Sequence, residues 1–443
     1  MTFFHHAEGD NKMDDHHECG GHSHSEGDTN NRWTSRAEQR NDPEELDHMK
    51  TVTESFRQYA TFARTERVGH AHRVLACPEE QRHFLPPSMQ PGTVEYQQRE
   101  QVFRDAEVRN QFFLDMVLRH ADLPTSQETL SKDTGKERSW ASDHHMDKVK
   151  SIFKSLARDW SEEGSLERKQ AYDPIINGFL KNLPVDSSSP SPPRLVVPGA
   201  GLGRLALELC SKGYAVQGNE FSLQMLLPSD FILNGGCGPD QAFDIHPYLT
   251  ETTNVRSHKD LVQPVLVPDV DPVRMLTPNA ADAEDGEDQY PGTMPDFSMA
   301  AGEFVSIYNG EQERGKWDGV ASCFFLDTAP IVVEYLQTIH NMLRDGGLLI
   351  NFGPLLWHFS SSSMRPGETQ ESYKHRLSSL DPRYLESVDM SYEDLKHVLD
   401  RVGFDIVEES AGHKAYYTAN RHSLKKNEYD CIYFVAKKRQ GNR

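Results

Sequence analysis

Three glycines separate an apolar run from an amphipathic one in VVPGAGLGRLALELC, which begins at residue 196. Gly199, Gly201 and Gly203 would let the backbone turn sharply between a strand and a helix and approach a ligand, because glycine has no Cβ. The dinucleotide-binding fingerprint requires a further glycine where this chain has Arg204. The turn therefore indicates a nucleotide-type cofactor without a pyrophosphate, with an ordinary tight turn as the alternative.

Two carboxylates could hold the adenosine part of such a cofactor. Glu220 ends the predicted second strand in YAVQGNE and could accept hydrogen bonds from both ribose hydroxyls. Glu303 precedes Phe304 in SMAAGEF, which we interpret as a short turn that holds the adenine amino group and covers the ring. Either carboxylate alone would more often be a solvated surface group, but their joint placement favours a cofactor site. A sulfonium suits it, because a sulfonium gains from carbonyls and aromatic faces and needs no anion pocket.

The elements that must position these groups follow from the alternation of short apolar runs and amphipathic segments, which is typical of a parallel α/β sheet. We predict strands at 194–198, 214–218, 319–325 and 347–352, and helices at 203–212, 222–234 and 330–344. Near the end, GFDIVEES, AYYTAN and DCIYFVAKK are interpreted as strands, the last two as an antiparallel hairpin at the sheet edge. The acidic, proline-rich segment 268–296 is predicted to be a surface loop.

This order of turn, carboxylates and strands resembles the class I S-adenosylmethionine-dependent methyltransferases. The resemblance implies a Rossmann-like α/β fold, with a mainly parallel twisted sheet and helices on both faces. Eight ordered motifs are more specifically similar to the carnosine N-methyltransferase family: VVPGAGLGRLA, GYAVQGNEFS, FILN, PDVDP, FSMAAGEF, SCFFLDTA, NFGPLLWHF and SYEDLKHVL. They lie within a resemblance that covers roughly residues 146–437. It implies methyl transfer from S-adenosylmethionine to an imidazole nitrogen of carnosine, giving anserine, and of related His-containing dipeptides.

The family's cofactor contacts carry over to positions that match its motifs. The resemblance implies contacts from Arg158 in LARDW, Gly199 in VPGAG, Glu220 in GNE, Glu303 and Phe304 in AGEF, and Cys323 in SCFF, with Gly201 and Gly203 completing the turn. Two positions depart from the family's pattern. Ser155 stands where the family tends to have Gln and is too short for that contact, whereas Glu303 replaces the more usual Asp and keeps its acceptor.

The same resemblance implies a catalytic and substrate-binding set: Asp327 of FLDTA, His358 of LLWHF and Tyr429 of NEYDC. Methyl transfer from a sulfonium is an in-line displacement, so the enzyme must hold a lone pair opposite the sulfur. A neutral imidazole has one such nitrogen and one N–H. Asp327 could accept from that N–H, fix the tautomer and stabilise the cation as it forms, while His358 and Tyr429 position the substrate. In the alternative interpretation Asp327 caps the following helix, His358 is a hydrogen-bonded core residue and Tyr429 lies on an edge strand.

Composition divides the chain into three parts. Residues 1–45 are rich in His, acidic residues and Gly, with almost no aliphatic residues, which predicts a disordered tail. Residues 46–190 show helical spacing of apolar residues and are predicted to form an N-terminal helical region. Residues 191–443 are predicted to form the methyltransferase domain. Within it, inserts around 272–294 and 362–388 could alter access to the pocket.

The tail contains several side chains of the types that bind transition metals: His16, His17, Cys19, His22 and His24. These could bind Zn, Ni or Cu adventitiously, but a solvated tail offers no fixed scaffold for them. We therefore predict no physiological metal site.

Charge and cysteine content exclude several classes. The formal net charge of −21 argues against nucleic acid as the main partner, because phosphate binding depends on clustered Lys and Arg. The six cysteines are scattered and lack a CxxC pair, so disulfides are not implied and a reducing compartment is expected, namely the cytoplasm with the nucleus as a second location. No apolar run reaches about 18 residues, and no secretion signal is recognised.

Three other functions stay open from the sequence. The same pocket could serve methylation of a protein histidine or of another small amine. A non-catalytic relative could use the sheet as an interaction platform, although Gly199, Glu220 and Asp327 together argue for activity. An NAD-dependent oxidoreductase is weakened by Arg204. Either an open edge strand or the helical region could support a homodimer.

Overall fold

The computed structural model describes residues 43–129, 140–186, 188–189, 191–277, 296–359, 364–378, 385, 387–418 and 420–441. The predicted disordered tail therefore lies almost wholly outside the described residues, as does most of the acidic segment. The insert around 362–388 is described only in part.

Helices dominate the first part of the described chain and then alternate with strands. They are α1 Pro43–Arg57, α2 Tyr59–Ala76, α3 Glu79–Arg82, α4 Val94–His120, α5 Ser126–Thr129, α6 Asp143–Asp159, α7 Ser165–Asn182, α8 Arg204–Ser211, α9 Leu223–Asn234, α10 His258–Leu261, α11 Pro272–Leu276, α12 Phe304–Tyr308, α13 Val332–Met342, α14 Gln370–Arg376 and α15 Tyr392–Val402. No described helix is long and apolar enough to cross a membrane.

The strands form one large sheet and one small hairpin. They are β1 Arg194–Pro198, β2 Ala215–Glu220, β3 Phe243–Ile245, β4 Val265–Val267, β5 Phe297–Ala301, β6 Trp317–Cys323, β7 Leu343–Gly353, β8 Phe404–Tyr416 and β9 Glu428–Lys438. The large sheet has seven strands in the order β5-β2-β1-β6-β7-β9-β8, and β3 pairs with β4. The pairs from β5 to β7 are parallel, whereas β9 runs antiparallel to both β7 and β8. The sheet is therefore mainly parallel, as the sequence predicted.

The sheet is buried on both faces, because successive residues of its central strands belong to different cores. Leu195 and Val197 of β1 join the core that packs against α7, α8 and α9. Val196, between them, joins the core that packs against α12, α13 and α15. In β7, Ile350 likewise belongs to the first of these cores and Leu349 to the second. Such strands show continuous apolar runs rather than alternation, as the sequence showed.

The N-terminal helices pack against the seven-stranded sheet through the same core. Phe113 of α4 contacts Phe153 of α6 at 6.2 Å and Phe231 of α9 at 5.8 Å between ring centroids. The buried Asn110 side chain exchanges hydrogen bonds with the backbone of His246, donating to its oxygen and accepting from its nitrogen. The helical region and the sheet therefore share one continuous core.

The helix α6 is built so that its carboxyl end meets the glycine turn. The Ser142 hydroxyl caps its first turn, and its apolar face is fully buried at Val149, Ile152 and Leu156. Just past its end, the Trp160 ring nitrogen donates to the Leu202 oxygen at 3.1 Å. This bond anchors the end of α6 beside the residues that follow β1.

The structure corrects three sequence predictions. Residues 297–301 form the strand β5, which the sequence analysis did not predict, and the short turn that holds Glu303 follows it from Gly302. GFDIVEES and the start of AYYTAN belong to one strand, β8, which pairs with β9 along its length. The start of segment 268–296 is not a surface loop, since α11 is partly buried and Asp269 is held in the interior by ion pairs.

Candidate functional site

The glycine turn between β1 and α8 adopts a backbone that favours glycine at each of its three positions. Gly199, Gly201 and Gly203 have φ angles of 62°, 55° and 83°. A Cβ on Gly199 would lie 2.7 Å from Cδ2 of the Phe325 ring, so glycine is also required there by space. The Ala200 nitrogen donates to the Asn219 oxygen at 2.8 Å, which ties the turn to the end of β2.

Glu220 ends β2 and faces that turn. One carboxylate oxygen accepts from the Gly201 nitrogen at 2.9 Å, and the other accepts from the nitrogens of Phe221 and Ser222. Burial raises the pKa of Glu220, although these three hydrogen bonds oppose the rise. A carboxylate has about four lone-pair sites. The geometry therefore leaves it capacity to accept from a ribose while it orders the turn.

Arg158, in the last turn of α6, is oriented by its neighbour Asp159. The guanidinium donates twice to the carboxylate, from Nε to Oδ1 at 2.6 Å and from Nη2 to Oδ2 at 2.8 Å. The Tyr172 hydroxyl donates to the same Oδ1 at 2.8 Å, and the Tyr417 ring lies 4.8 Å from the guanidinium carbon. Burial opposes the charge on Arg158, but Asp159 together with Tyr417 and Tyr172 raises the pKa of the guanidinium well above its usual range.

A cavity with about 620 Å³ of empty space, partly open to solvent, lies between Arg158 and the glycine turn that Glu220 orders. Its lining includes Arg158, Tyr172, Gly199, Ala200, Gly201, Cys323, Phe324 and Tyr417. The Nη1 atom of Arg158 is buried and has no hydrogen-bond partner among the described residues. A ligand carboxylate there would satisfy that donor, because an unpaired buried polar atom is costly. The residues therefore fit an amino acid–nucleoside cofactor: a cation for its carboxylate, a glycine turn for close approach and Glu220 for its ribose.

Glu303 and Phe304, the predicted adenine contacts, lie beyond β5 at the start of α12. The Glu303 carboxylate caps that helix, accepting from the Ser306 nitrogen at 2.7 Å and from the Ser306 hydroxyl at 2.8 Å. The Phe304 ring is buried against Phe325 and Tyr335. Both residues lie at the same end of the sheet as Glu220, since Glu220 pairs with Ala301. Their contacts with adenine stay predictions.

Cys323 ends β6 and lines the cavity. Burial raises the pKa of its thiol to about 12, so the group is a neutral contact and not a thiolate nucleophile. The next residue, Phe324, has a φ of 50°, and its nitrogen donates to the Phe352 oxygen at 2.9 Å. A non-glycine residue in this conformation marks a strained turn of the kind found at functional sites.

Asp327 follows this turn in a short 3₁₀ segment, Leu326–Thr328, and is buried. Its Oδ2 accepts from the Leu356 nitrogen at 2.9 Å. Burial raises the pKa of Asp327, and the Leu356 hydrogen bond and the proximity of His358 oppose the rise. The helix-capping alternative is wrong, because the residue preceding α13 at its N-cap is Ile331.

His358 and Tyr429 lie at the same end of the sheet as Asp327. The His358 nitrogen donates to the Asp327 backbone oxygen at 2.9 Å, and the side chain is exposed, so it is not a core histidine. Tyr429 is partly buried on β9 and its ring lies 6.2 Å from Phe324. The edge-strand alternative is also wrong, because β9 lies between β7 and β8. The structure thus brings Asp327, His358 and Tyr429 to the same end of the sheet as the cavity, and Tyr429 lies beside Phe324 of the cavity lining. Their roles stay predictions.

Arg204, which breaks the dinucleotide fingerprint, is a structural residue. It donates to Asp269 at 2.6 Å and to Glu208 at 2.8 Å, and it lies 5.1 Å from the Trp160 ring. Arg168 of α7 donates to the other oxygen of Asp269 at 2.7 Å. This buried network fixes α6, α7 and α8 around the turn, so a pyrophosphate would gain no free cation from Arg204.

Sequence reasoning missed several residues of the site: Asp159, Tyr172, Phe324 and Tyr417. Asp159 stands beside Arg158 in LARDW, and a carboxylate next to a predicted ligand arginine is a signal that could have been followed. Phe324 lies inside SCFF, next to the predicted Cys323. Tyr172 comes from α7 and Tyr417 follows the end of β8. Nothing in their local sequence indicates that both side chains line the same cavity.

Comparison with known proteins gives a consistent result. The family model described as Carnosine N-methyltransferase matches residues 136–440. The carnosine N-methyltransferase of Mus musculus is 36% identical over 397 residues, which cover 89% of this chain and 87% of that protein. That of Schizosaccharomyces pombe is 38% identical over 279 residues, 63% of this chain and 68% of that protein. A solved phosphoethanolamine N-methyltransferase of Haemonchus contortus aligns with 67% of this chain and 58% of that chain at 14% identity, with a TM-score of 0.33, too low to carry a conclusion.

Proposed function

This chain belongs to the carnosine N-methyltransferase family, and on that premise we propose that it methylates an imidazole nitrogen of carnosine, giving anserine. S-adenosylmethionine is the methyl donor, and related His-containing dipeptides are further substrates. The enzyme is therefore an S-adenosylmethionine-dependent N-methyltransferase that acts on a small peptide.

One observation carries this proposal on the structural side. The buried guanidinium of Arg158, the glycine turn and Cys323 line a single cavity, and Asp327 lies four residues beyond Cys323. Since β1, β2 and β6 are parallel, their carboxyl ends meet at this edge of the sheet, where open α/β sheets bind their ligands. We therefore propose that the cofactor and the substrate imidazole bind side by side at this edge, as transfer between two bound molecules requires.

The chain's own residues define how the cofactor is held. Arg158 would bind the carboxylate of the methionyl part, Glu220 the ribose hydroxyls, and the turn at Gly199 and Gly201 would let the backbone lie against the nucleoside. When bound, S-adenosylmethionine supplies an electrophilic methyl group on a sulfonium. The Phe324 and Tyr417 rings, 5.1 Å apart between centroids, form an aromatic wall of the cavity, and such faces attract a cation.

Asp327 supplies the polar group that the imidazole requires. Its carboxylate would accept from the imidazole N–H, which leaves the lone pair of the other nitrogen available for attack. As the methyl group is transferred, the ring becomes a cation, and a buried carboxylate stabilises that charge more strongly than water would. Asp327 can then take the N–H proton, because burial has raised its pKa toward that of the product.

His358 and Tyr429 would position the rest of the dipeptide. His358 is exposed and adjoins Asp327 through the backbone, so its ring can reach the amino or carboxylate end of a zwitterion. Tyr429 offers a hydroxyl beside Phe324. Several properties remain predictions from the sequence. The chain is predicted to have no nucleic-acid or membrane partner, to form a homodimer, and to be located in the cytoplasm and the nucleus.

The test of this function is incubation of the purified chain with methyl-labelled S-adenosylmethionine and, separately, with carnosine, free histidine and a His-containing protein extract. Mass spectrometry of each mixture should show label in carnosine, with little in histidine or protein. Label in protein alone would keep the cofactor site but replace the substrate class. No label in any mixture, with S-adenosylhomocysteine binding intact, would contradict the proposed substrate.

A further inference from the structure

A second cavity lies between the N-terminal helices and the methyltransferase domain, with about 1040 Å³ of empty space, part of it open to solvent. Its walls come from α2, from α4 and from residues 249–258 with α10. It shares no lining residue with the cofactor cavity. Nothing in the proposed reaction uses it.

Three arginines line this cavity, and two of them have an unsatisfied donor. The Arg67 side chain is only 9% exposed, and its Nη2 is buried without a hydrogen-bond partner in the described chain. Arg99 donates from Nη1 to the Ser88 oxygen, but its Nε is likewise buried without a partner among the described residues. Arg256, an exposed residue of the lining, forms no ion pair with any described residue. Unpaired buried N–H groups of a cation favour an acceptor that carries negative charge.

Neither carboxylate of the lining pairs with an arginine of the lining. Glu66 pairs with Lys150 at 2.9 Å, and Glu251 pairs with Lys154 at 3.1 Å, and neither lysine lines the cavity. Arg67 does pair with Glu100 and Glu107 behind the wall. The lining therefore retains a net positive charge on Arg99 and Arg256, in a chain whose net charge is −21.

The pKa of His258, a residue of the cavity lining, is shifted in the direction that positive charge nearby would cause. Burial lowers the pKa of His258, and the positive charges of Arg99 and His70 lower it further. Among the described residues, no carboxylate contributes a compensating shift in the pKa of His258. Positive charge therefore dominates the surroundings of His258 at this end of the cavity, next to Arg256.

The rest of the lining suits an apolar body attached to that anion. The Phe103 ring lies at the base, with the guanidinium carbons of Arg67 and Arg99 5.4 and 5.7 Å from its centroid. Ala63, Leu249 and Leu261 add aliphatic surface. A mostly apolar pocket with a few convergent polar groups is the usual form of a small-molecule site.

We propose that this cavity is a second ligand site, which binds a small organic anion with its phosphate or carboxylate at Arg67, Arg99 and Arg256 and its apolar part against Phe103. The site is independent of the methyl-transfer site and of the identity of the methylated substrate. A planar guanidinium group can donate paired hydrogen bonds to a phosphate or to a carboxylate, so ligands with either group belong to one class of organic anion.

Calorimetric titration of the full chain with phenyl phosphate, benzoate, phenol and inorganic phosphate tests this site. Phenyl phosphate or benzoate should bind in a saturable manner, more tightly than phenol or inorganic phosphate, and saturating S-adenosylhomocysteine should not displace it. The Arg99→Gln/Arg256→Gln variant should lose about tenfold or more in affinity, since each charge-assisted hydrogen bond contributes substantially. Arg104→Gln is the matched control, because Arg104 is an exposed arginine of the same helix outside the cavity.

Three results would overturn the proposal. Displacement by S-adenosylhomocysteine would place the probe in the cofactor cavity. If Arg104→Gln weakened probe binding as much as the double variant does, the loss of affinity would reflect the overall charge of the protein and not this cavity. Binding of inorganic phosphate as tightly as phenyl phosphate, unaffected by the double variant, would indicate an adventitious ion only. Unchanged thermal unfolding of each variant, with unchanged S-adenosylhomocysteine affinity, ensures that a loss of probe binding does not reflect misfolding.

Discussion

At the scale of single residues, the proposed cofactor site depends on charged side chains and on the neighbours that orient them. Arg158 could have pointed in several directions from the end of α6, but the two hydrogen bonds to Asp159 and the stacking on Tyr417 hold it at the cavity. The sequence resemblance supplied Arg158, Glu220 and Asp327, because each lies in a recognisable motif. It did not supply Asp159 or Tyr172, because their hydrogen bond joins two helices and only the fold shows it.

The role of Asp159 can be tested by Asp159→Asn, which keeps the shape of the side chain and removes its charge. We expect the affinity for S-adenosylhomocysteine to fall by about 1–2 kcal/mol, because Arg158 loses the pairing that orients it. Calorimetric titration measures this directly, and Tyr172→Phe should show a smaller loss in the same direction. Asp173→Asn, one residue after Tyr172 in the sequence, is a control for charge alone. Wild-type affinity in Asp159→Asn would remove this residue from the positioning of Arg158.

Glu220 should make cofactor binding depend on pH. Burial raises the pKa of this carboxyl in the free protein, and hydrogen bonds from ribose hydroxyls would favour the charged form in the complex. Binding then releases a proton in the window between the two pKa values, so affinity should fall as pH falls through the raised pKa of the free protein. Glu220→Gln should bind more weakly and show a flatter profile in that acidic window. If affinity depended on pH in the same way in the wild type and in Glu220→Gln, Glu220 would not be the residue that binds the ribose.

At the scale of elements, the sequence predicted those strands and helices that have a clear local pattern of apolar residues and turns. The strand β1 was predicted with its observed bounds, because a fully buried apolar run followed by a glycine turn is a strong local signal. The strands β3 and β4 were missed, because three-residue strands are too short for a periodic pattern. The burial of Asp269 was also missed, because an acidic residue in a proline-rich segment looks solvated until Arg168 and Arg204 meet it in the fold.

The glycine turn permits an experiment that separates backbone strain from steric clash. Gly199→Ala should lower the free energy of unfolding by about 1–2 kcal/mol from its left-handed backbone alone, and by more because its Cβ would meet Phe325. Gly201→Ala is a matched control, since it has a similar φ but no atom within 4 Å of the added Cβ. Urea unfolding of both variants should therefore show a larger loss for Gly199→Ala. Equal losses would contradict the close packing of the turn against Phe325.

At the scale of the whole molecule, the helical region and the sheet act together. The core that contains Phe113 of α4 also contains Leu195 of β1, so the residues before the glycine turn help to support it. Helix α6, which carries Arg158, packs between the two regions and joins the cofactor site to both. Sequence composition showed where the helices end and the strands begin, but a shared core depends on contacts between distant segments.

The central claim is that the chain transfers methyl groups to carnosine at a site that requires Asp327. Its most direct test is the rate of anserine formation by the wild-type chain and by Asp327→Asn, at saturating S-adenosylmethionine and carnosine, with Asp345→Asn as an exposed-carboxylate control. We expect anserine from the wild type and the control, and a loss of about 10²-fold or more for Asp327→Asn, with S-adenosylhomocysteine affinity within a few-fold of wild type. Anserine formed by Asp327→Asn at the wild-type rate would remove Asp327 from catalysis, and no anserine from the wild-type chain would contradict the account as a whole.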